Sequence, residues 1–314
     1  MREYGDLRDG AVGAICRLTD AGEDIIVMVA DSTSTSKMAA FMKAYPDRVV
    51  NVGIAEQNMV GMAAGLALGG HTVFTANAAP FLIGRANEQV KNDICYSATN
   101  VKMLGLNAGV AYGPLASTHH AIDDISVMSG FGTVQIFAPC DEVETAQVVE
   151  YAASFDGPVY IRLDNAKFPI VHDAQYRFKP GRPDVVIEGK GVVVIALGSV
   201  VGEALEACEA LKSEDGIDPT LINLSSLRPL DHDALATIIE RHDAVVTVEE
   251  HSLHGGIGAT VAVLLARRRL SKSLNMLGIS EGEFAHYGTR KGIRKHYRID
   301  AAGIAQTVRS LYTK

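Results

Sequence analysis

The chain has 314 residues, of which 47% are hydrophobic and 21% charged, and its formal net charge is -8 at pH 7. This length suggests two domains that bury sizeable cores, and the negative charge excludes a general attraction to nucleic acid or to anionic membranes. We find no membrane span, no signal-peptide core and no metal or redox spacing among the four cysteines. We therefore expect a cytoplasmic protein in a reducing compartment.

The first half of the chain alternates β-branched runs with helical stretches. The apolar run 24–30 is nearly continuous and is typical of a strand buried on both faces. Such alternation predicts βαβ units and a mainly parallel sheet. The further predicted strands are 48–52, 72–76, 101–106, 134–138 and 159–163, and the predicted helices are 7–21, 36–44, 60–68, 85–96 and 142–153.

A stretch rich in proline, glycine and charge, residues 168–190, interrupts this alternation. After it the alternation restarts, with predicted strands at 191–198, 219–224, 244–248 and 274–278 and predicted helices at 201–211, 231–239 and 256–267. We predict an α/β fold of two three-layer αβα domains with mainly parallel sheets. Residues 1–172 form the first domain, 173–189 the linker and 190–314 the second domain.

One carboxylate stands at a strand-to-helix junction. The segment Asn-Val-Gly-Ile-Ala-Glu-Gln-Asn-Met, residues 51–59, follows a predicted strand and opens a helix of small residues. Glu56 therefore lies where sites form in an open α/β sheet, at the carboxyl end of a strand. A glutamate in a first helical turn is also favoured by the helix dipole alone, so this position by itself does not assign a function.

Five segments, in this order along the chain, resemble segments of the transketolase family of thiamine-diphosphate enzymes. They are Ala30-Asp31-Ser32-Thr33-Ser34-Thr35, the Glu56 segment, residues 81–90, Thr118-His119-His120, and Tyr160-Ile161-Arg162-Leu163. The resemblance covers essentially the whole chain. It implies that the first domain binds the pyrimidine of thiamine diphosphate and that the second is a transketolase C-terminal domain.

The resemblance implies cofactor contacts for three residues. The carboxyl of Glu56 would hydrogen-bond the pyrimidine ring and favour the tautomer that activates the cofactor. Phe81 would stack on the ring, and Asp31 would lie near it. The plainer alternatives are that Phe81 is a core residue and that Asp31 caps a helix.

The resemblance also implies contacts with substrate. His119 would line the substrate channel and take part in catalysis, whereas Arg8 and Arg162 would grip a terminal phosphate. A guanidinium suits that task because its fixed fork of donors matches a tetrahedral anion. The plainer alternatives are a solvated loop histidine and surface salt bridges.

Two positions depart from the family pattern. Asn107 stands where a substrate-contacting histidine is usual, and Leu115 stands where an acid that contacts a substrate hydroxyl is usual. We therefore expect a substrate other than the standard pentose phosphates, such as a branched ketose phosphate or a sulfonated ketose.

The family's metal-binding motif, Gly-Asp-Gly, is absent from this sequence. The family anchors the diphosphate through Mg²⁺ (or Ca²⁺), which needs oxygen ligands beside the phosphates. We predict no metal ligand in this chain and expect the ligands to come from an N-terminal pyrophosphate-domain subunit, with two copies of each chain in the assembly.

The predicted function is that of the C-terminal subunit of a split transketolase, which transfers a two-carbon ketol unit from a ketose to an aldose. One alternative is half of another thiamine-diphosphate enzyme, either a deoxyxylulose-phosphate synthase or the β subunit of a 2-oxo acid dehydrogenase. The other alternative is a non-catalytic homologue.

Overall fold

The computed structural model describes residues 2–312, which form two large, mainly parallel sheets and one small antiparallel pair. The strands are β1 Tyr4–Asp6, β2 Ile25–Val29, β3 Val49–Asn51, β4 Thr72–Ala78, β5 Val101–Leu106, β6 Gln135–Phe137, β7 Val159–Arg162, β8 Lys167–Pro169, β9 Asp184–Ile187, β10 Val192–Ala196, β11 Thr220–Asn223, β12 Ser226–Arg228, β13 Ala244–Ser252 and β14 Ser273–Ile279.

The α-helices are α1 Leu7–Asp20, α2 Ala39–Ala44, α3 Glu56–Leu68, α4 Asn87–Gln89, α5 Asp124–Ser129, α6 Glu142–Ser154, α7 Val200–Ala210, α8 His232–Glu240, α9 Ile257–Arg268, α10 Arg290–His296 and α11 Ala301–Tyr312. Two π-helical segments, Pro80–Arg85 and Val90–Tyr96, flank α4 and continue its helical path. None of the helices described is long and apolar enough to cross a membrane.

The first sheet has the strand order β12-β6-β7-β5-β4-β2-β3, and all its strands except β12 run parallel. Apolar side chains on both faces explain this arrangement. In β2, Val27 and Val29 belong to a core with α1 and α6, whereas Met28 packs into a core with α3. The sheet is therefore covered by helices on both sides.

The second sheet has the order β14-β13-β10-β11-β9, with β9 as the antiparallel edge strand. The apolar residues of β10 alternate between two cores in the same way: Val194 faces α7 and α11, and Val193 faces α8 and α9. The predicted α/β class with two three-layer units is confirmed.

The structure differs from the sequence-based prediction in its connections. Residues 173–189, predicted as a linker, contain β9, which is a strand of the second sheet. Strand β12, from the second half of the chain, pairs with β6 and so extends the first sheet. A short strand such as β9 or β12 is recognised only through its partner strand, which lies far away in the sequence. Helices α10 and α11 were also not predicted.

A buried histidine joins the two halves. His172 Nδ1 lies 2.9 Å from Asp141 Oδ2, and its Nε2 lies 2.8 Å from Asp184 Oδ2. Burial alone lowers the pKa of His172, but the hydrogen bonds to these carboxylates outweigh it and raise the pKa to about 10. Since Asp141 precedes α6 and Asp184 begins β9, the imidazolium connects the first domain to the second sheet.

We expect the His172→Gln substitution to lower the free energy of unfolding by about 3–5 kcal/mol at neutral pH, because it removes a buried cation from between two carboxylates. The pKa of His172 is raised in the folded state, so its contribution is complete below about pH 6.5, the pKa of an unfolded histidine. The contribution is lost as the pH rises toward 10.

Urea unfolding measures the free energy of unfolding of wild type and variant. The difference between the two should narrow as the pH rises from about 6.5 to about 10. His254→Gln serves as the control because His254 is exposed. A difference in unfolding free energy that stays constant or widens with pH would contradict the role given to the His172 imidazolium.

Candidate functional site

A cavity opens at the carboxyl ends of the neighbouring strands β3, β2 and β4. Parallel strands bring their carboxyl ends to one edge of a sheet, and ligands bind in the crevice there. The cavity has a volume of about 290 Å³. It is lined by Ala30, Asp31, Ser32, Thr35, Ile54, Glu56, Asn77, Ala78, Phe81, Arg85 and Tyr112.

Glu56 is the buried carboxylate of this cavity. It is the first residue of α3 and is only 2% exposed. Asn77, at the end of β4, donates from Nδ2 to Oε1 at 3.1 Å, and Arg85 donates from Nη1 to Oε2 at 2.6 Å. These two donors compensate for the burial of the charge. Because each carboxylate oxygen has two lone pairs, Glu56 keeps acceptor capacity toward the cavity.

An aromatic wall faces this carboxylate. The Arg85 guanidinium lies over the Phe81 ring, 4.7 Å from its centroid. The His119 ring packs edge-on against Phe81 at 5.3 Å and against Tyr112 at 5.5 Å. The Thr118 hydroxyl lies 2.9 Å from His119 Nδ1, and Nε2 has no hydrogen-bond partner among residues 2–312. Phe81 and Tyr112 line the cavity, whereas His119 is not among the lining residues and packs against both of their rings.

Asp31 lines the cavity with a backbone φ of 54°, an uncommon left-handed conformation for an aspartate. Its backbone N–H donates to the side chain of Asn51 at 3.1 Å. Arg8 is not among the residues that line the cavity. It donates to the carbonyls of Thr35 at 3.0 Å and Asn165 at 2.7 Å, and its remaining bonds go to Asp6. Its contact with a substrate phosphate stays a prediction.

Arg162 does not lie on the cavity wall, contrary to the expectation that it grips a substrate phosphate. Its side chain is 6% exposed, and Nε donates to Asp124 Oδ2 at 2.9 Å. Nη2 donates to the carbonyls of Ala121 at 3.1 Å and Glu250 at 3.0 Å. The guanidinium is held in the interior by these acceptors and links β7 to β13.

Asn107 and Leu115, the two departures from the family pattern, also lie off the wall. Asn107 is fully buried with a φ of 56°, and neither atom of its amide has a hydrogen-bond partner within residues 2–312. Leu115 is 51% exposed, in the turn that follows Tyr112. Their contacts with substrate stay predictions.

The loop that carries Tyr112 and His119 is held by the second domain. Glu250, in β13, accepts the backbone N–H of Val110 at 2.8 Å and also binds Arg290 and Arg294. Despite burial, the two arginines keep the pKa of Glu250 below its usual range. Gly109, with a φ of 63°, lets the loop come this close, because a Cβ there would overlap the Glu250 side chain.

The cavity suits an aromatic ring nitrogen and offers little to a metal. Its acids are Asp31 and Glu56, and Glu56 is already paired with Arg85. Within the described part of the chain, the group with metal-ligand spacing is Cys140, Asp141 and His172. There the carboxylate of Asp141 accepts from the backbone N–H groups of Glu144, Val171 and His172 as well as from the imidazole, so protein donors already satisfy its charge.

The structure brings together Glu56, Phe81 and Asp31, which were all predicted as cofactor contacts, and sets His119 against Phe81. Sequence reasoning missed Asn77 and Tyr112 as cavity residues. The rule that sites lie at strand ends could have found Asn77, since the predicted strand ends at residue 76. No local signal marks Tyr112.

Two family models match the chain. The model described as transketolase, pyrimidine binding domain matches residues 5–169, and transketolase, C-terminal domain matches residues 181–304.

Among curated proteins, a subunit of the apulose-4-phosphate transketolase of Actinobacillus succinogenes is 52% identical over 290 residues, which cover 92% of this chain and 93% of the relative. The 6-deoxy-6-sulfo-D-fructose transketolase subunit of Clostridium sp. strain MSTE9 is 32% identical, with 82% of this chain and 80% of the relative covered.

Among solved structures, one described as a split-gene transketolase in an inactive tetramer of beta chains matches with a TM-score of 0.88 and 35% sequence identity. The match covers 99% of each chain.

Proposed function

This chain belongs to the transketolase family, and we propose that it is the pyrimidine-binding and C-terminal subunit of a split transketolase that transfers a two-carbon ketol unit from a ketose to an aldose. The observation that carries the proposal is the buried carboxylate of Glu56, held by Asn77 and Arg85 in a cavity at the strand ends.

Glu56 and Phe81 fit the pyrimidine ring of thiamine diphosphate. When bound, the cofactor supplies the carbanion chemistry of ketol transfer. Glu56 would accept a hydrogen bond from the protonated ring nitrogen, and Phe81 would pack against the ring. Asn77 and Arg85 orient the carboxylate, so its position does not depend on the cofactor. Asp31 lies at the edge of the same cavity.

His119 is the proposed group on the substrate side. Its ring is held between Phe81 and Tyr112, and its Nδ1 is engaged by Thr118. A histidine fixed in this way presents Nε2 at a defined place, where it can hold or move a substrate proton.

The diphosphate and its Mg²⁺ require a second polypeptide. Magnesium takes carboxylate or carbonyl oxygens beside the phosphates, and the described wall of this cavity holds no such set. We propose that an N-terminal pyrophosphate-domain subunit supplies it and that the assembly contains two copies of each chain. The Actinobacillus relative is itself named as one subunit of a transketolase, which supports a divided enzyme.

We expect the isolated chain to be inactive and to bind thiamine diphosphate weakly, because the binding energy of the diphosphate and its cation comes from the partner. Calorimetry on the purified chain with Mg²⁺, compared with the reconstituted pair, measures this difference. Sub-micromolar binding without the partner would be incompatible with a divided site. Pyruvate decarboxylation by the reconstituted pair would instead indicate a synthase or a 2-oxo acid dehydrogenase half.

In the reconstituted enzyme, Glu56→Ala should lower the turnover number by about 10²–10⁴-fold, the usual contribution of a positioned proton-transfer group. Glu56→Gln should be nearly as damaging, because an amide does not exchange this proton. Glu23→Gln is the matched control, since Glu23 is exposed and lies at the opposite end of the sheet, before β2. Gel filtration with the partner shows whether assembly is kept. Wild-type rates in either Glu56 variant would remove it from the mechanism.

We propose that the donor is a branched ketose phosphate of the apulose 4-phosphate kind. Leu115 and Asn107 replace side chains that contact substrate in most of the family. The relative named for apulose 4-phosphate is 52% identical, whereas the one named for the sulfonated sugar is 32% identical. Leu115 is 51% exposed in the single chain. A contact between Leu115 and the substrate therefore excludes water only when the partner subunit covers this turn.

Xylulose 5-phosphate should be a poorer donor than apulose 4-phosphate by about 5- to 150-fold in kcat/KM, because a desolvated hydroxyl left beside leucine costs about 1–3 kcal/mol. Leu115→Asp should narrow this ratio by restoring an acceptor. Leu115→Ala is the control, because it removes bulk without adding an acceptor. Equal rates on the two donors in the wild-type complex would refute the specificity argument.

A further inference from the structure

We propose that Tyr112 is a specificity-determining residue that hydrogen-bonds a substrate hydroxyl through its phenol. This inference rests on the proposed function, since it names a second contact to the substrate of the same site. Tyr112 lines the cavity that holds Glu56 and packs edge-on against His119, with the ring centroids 5.5 Å apart. The sequence patterns that identified Asp31, Glu56 and Phe81 do not include it.

The hydroxyl of Tyr112 is unlike those of the other tyrosines. Six tyrosine hydroxyls hydrogen-bond within the chain: Tyr45, Tyr151, Tyr160, Tyr176, Tyr297 and Tyr312. Three tyrosines reach solvent, with exposed fractions of 59% for Tyr4, 87% for Tyr96 and 77% for Tyr287. Tyr112 is partly buried, and within residues 2–312 its hydroxyl, which is not sealed from solvent, makes no hydrogen bond. A partly buried phenol usually finds a partner.

The backbone around Tyr112 is fixed from both domains. Its carbonyl accepts the N–H of Leu115 at 3.1 Å, and the N–H of Gly113 donates to the carbonyl of Val110 at 2.8 Å. Val110 is in turn bound by Glu250 at 2.8 Å. Gly113 packs against the backbone of Gly288, in the second domain. The ring therefore occupies its place before substrate arrives, which favours selective binding.

The chemistry of the contact follows from the side chains present. A phenol is neutral and both donates and accepts, so it suits a sugar hydroxyl better than a phosphate. Leu115 lies three residues further along the same turn and cannot make such a bond. Tyr112 and Glu56 line one cavity of about 290 Å³, which is small enough to bring a substrate at the cofactor close to Tyr112. We therefore assign to Tyr112 the hydroxyl next to the reacting carbonyl.

The test uses the complex of this chain with its pyrophosphate-domain partner, loaded with thiamine diphosphate and Mg²⁺. Calorimetry measures the affinity for two acceptor probes, ribose 5-phosphate and 2-deoxyribose 5-phosphate, which lacks the hydroxyl next to its carbonyl. Ribose 5-phosphate is suitable as a probe because the specificity argument from Leu115 concerns the donor. Turnover with apulose 4-phosphate as donor gives kcat and KM for the same two acceptors. The variants are Tyr112→Phe, which keeps the ring, and Tyr4→Phe, an exposed control on β1.

We expect Tyr112→Phe to weaken binding of ribose 5-phosphate, and to raise its KM, by about 3- to 10-fold, the value of one neutral hydrogen bond. Binding of 2-deoxyribose 5-phosphate should change less than about 2-fold, because the bond is already missing there. Tyr4→Phe should leave both affinities unchanged.

Equal losses for the two sugars, no loss for either, or no binding of ribose 5-phosphate by the wild-type complex would overturn the proposal. A changed affinity for thiamine diphosphate with unchanged sugar binding would also overturn it, by assigning Tyr112 to the cofactor. Failure of the proposed function is recognised separately. If no ketol transfer occurs but the calorimetric difference between the two sugars persists, the contact stands and the reaction assigned to the site is wrong.

Discussion

The buried carboxylate of Glu250 is the contact on which the shape of the site depends. It lies in the second domain, where it pairs with Arg290 and Arg294, and it accepts the backbone N–H of Val110 from the first. Arg290 also pairs with Asp164, the second residue after β7, and lowers the pKa of that carboxyl to about 2 despite its burial. Removing one partner from such a buried group costs about 3–5 kcal/mol, so this network links the two domains strongly.

This network gives the cavity two walls of different origin. Asn77 lies in β4, Asp31 follows β2 and Glu56 opens α3 after β3. Since β3 and β4 both pair with β2, the backbone hydrogen bonds of the sheet set this side of the cavity. Tyr112 and His119 stand on a loop, and that loop is placed by Glu250 and by the packing of Gly113 on Gly288. A change in the second domain can therefore alter the substrate side of the cavity while leaving the cofactor side in place.

The pairing of Glu56 with Arg85 compensates for the hydration that a carboxylate loses in the cavity. An ionised carboxylate in a cavity loses its hydration, and it needs donors that do not block its open side. Asn77 and Arg85 each take one oxygen, and Arg85 is held in turn by the face of Phe81. The carboxylate is thereby oriented by three residues from β4 and the helical segment after it.

The sequence by itself determined the α/β class and the strand-end position of Glu56, because apolar periodicity and strand-to-helix junctions are local properties of the chain. The family resemblance added Phe81 and Asp31, which lie in the same cavity as Glu56. Only the tertiary structure decided where the charged side chains pair. From the sequence, Arg162 could bind a ligand phosphate or pair with acceptors in the interior. In the structure it is buried and donates to Asp124 and to the carbonyl of Glu250 in β13. Such partners lie tens to hundreds of residues apart, and burial and three-dimensional proximity, which local sequence does not encode, select among them.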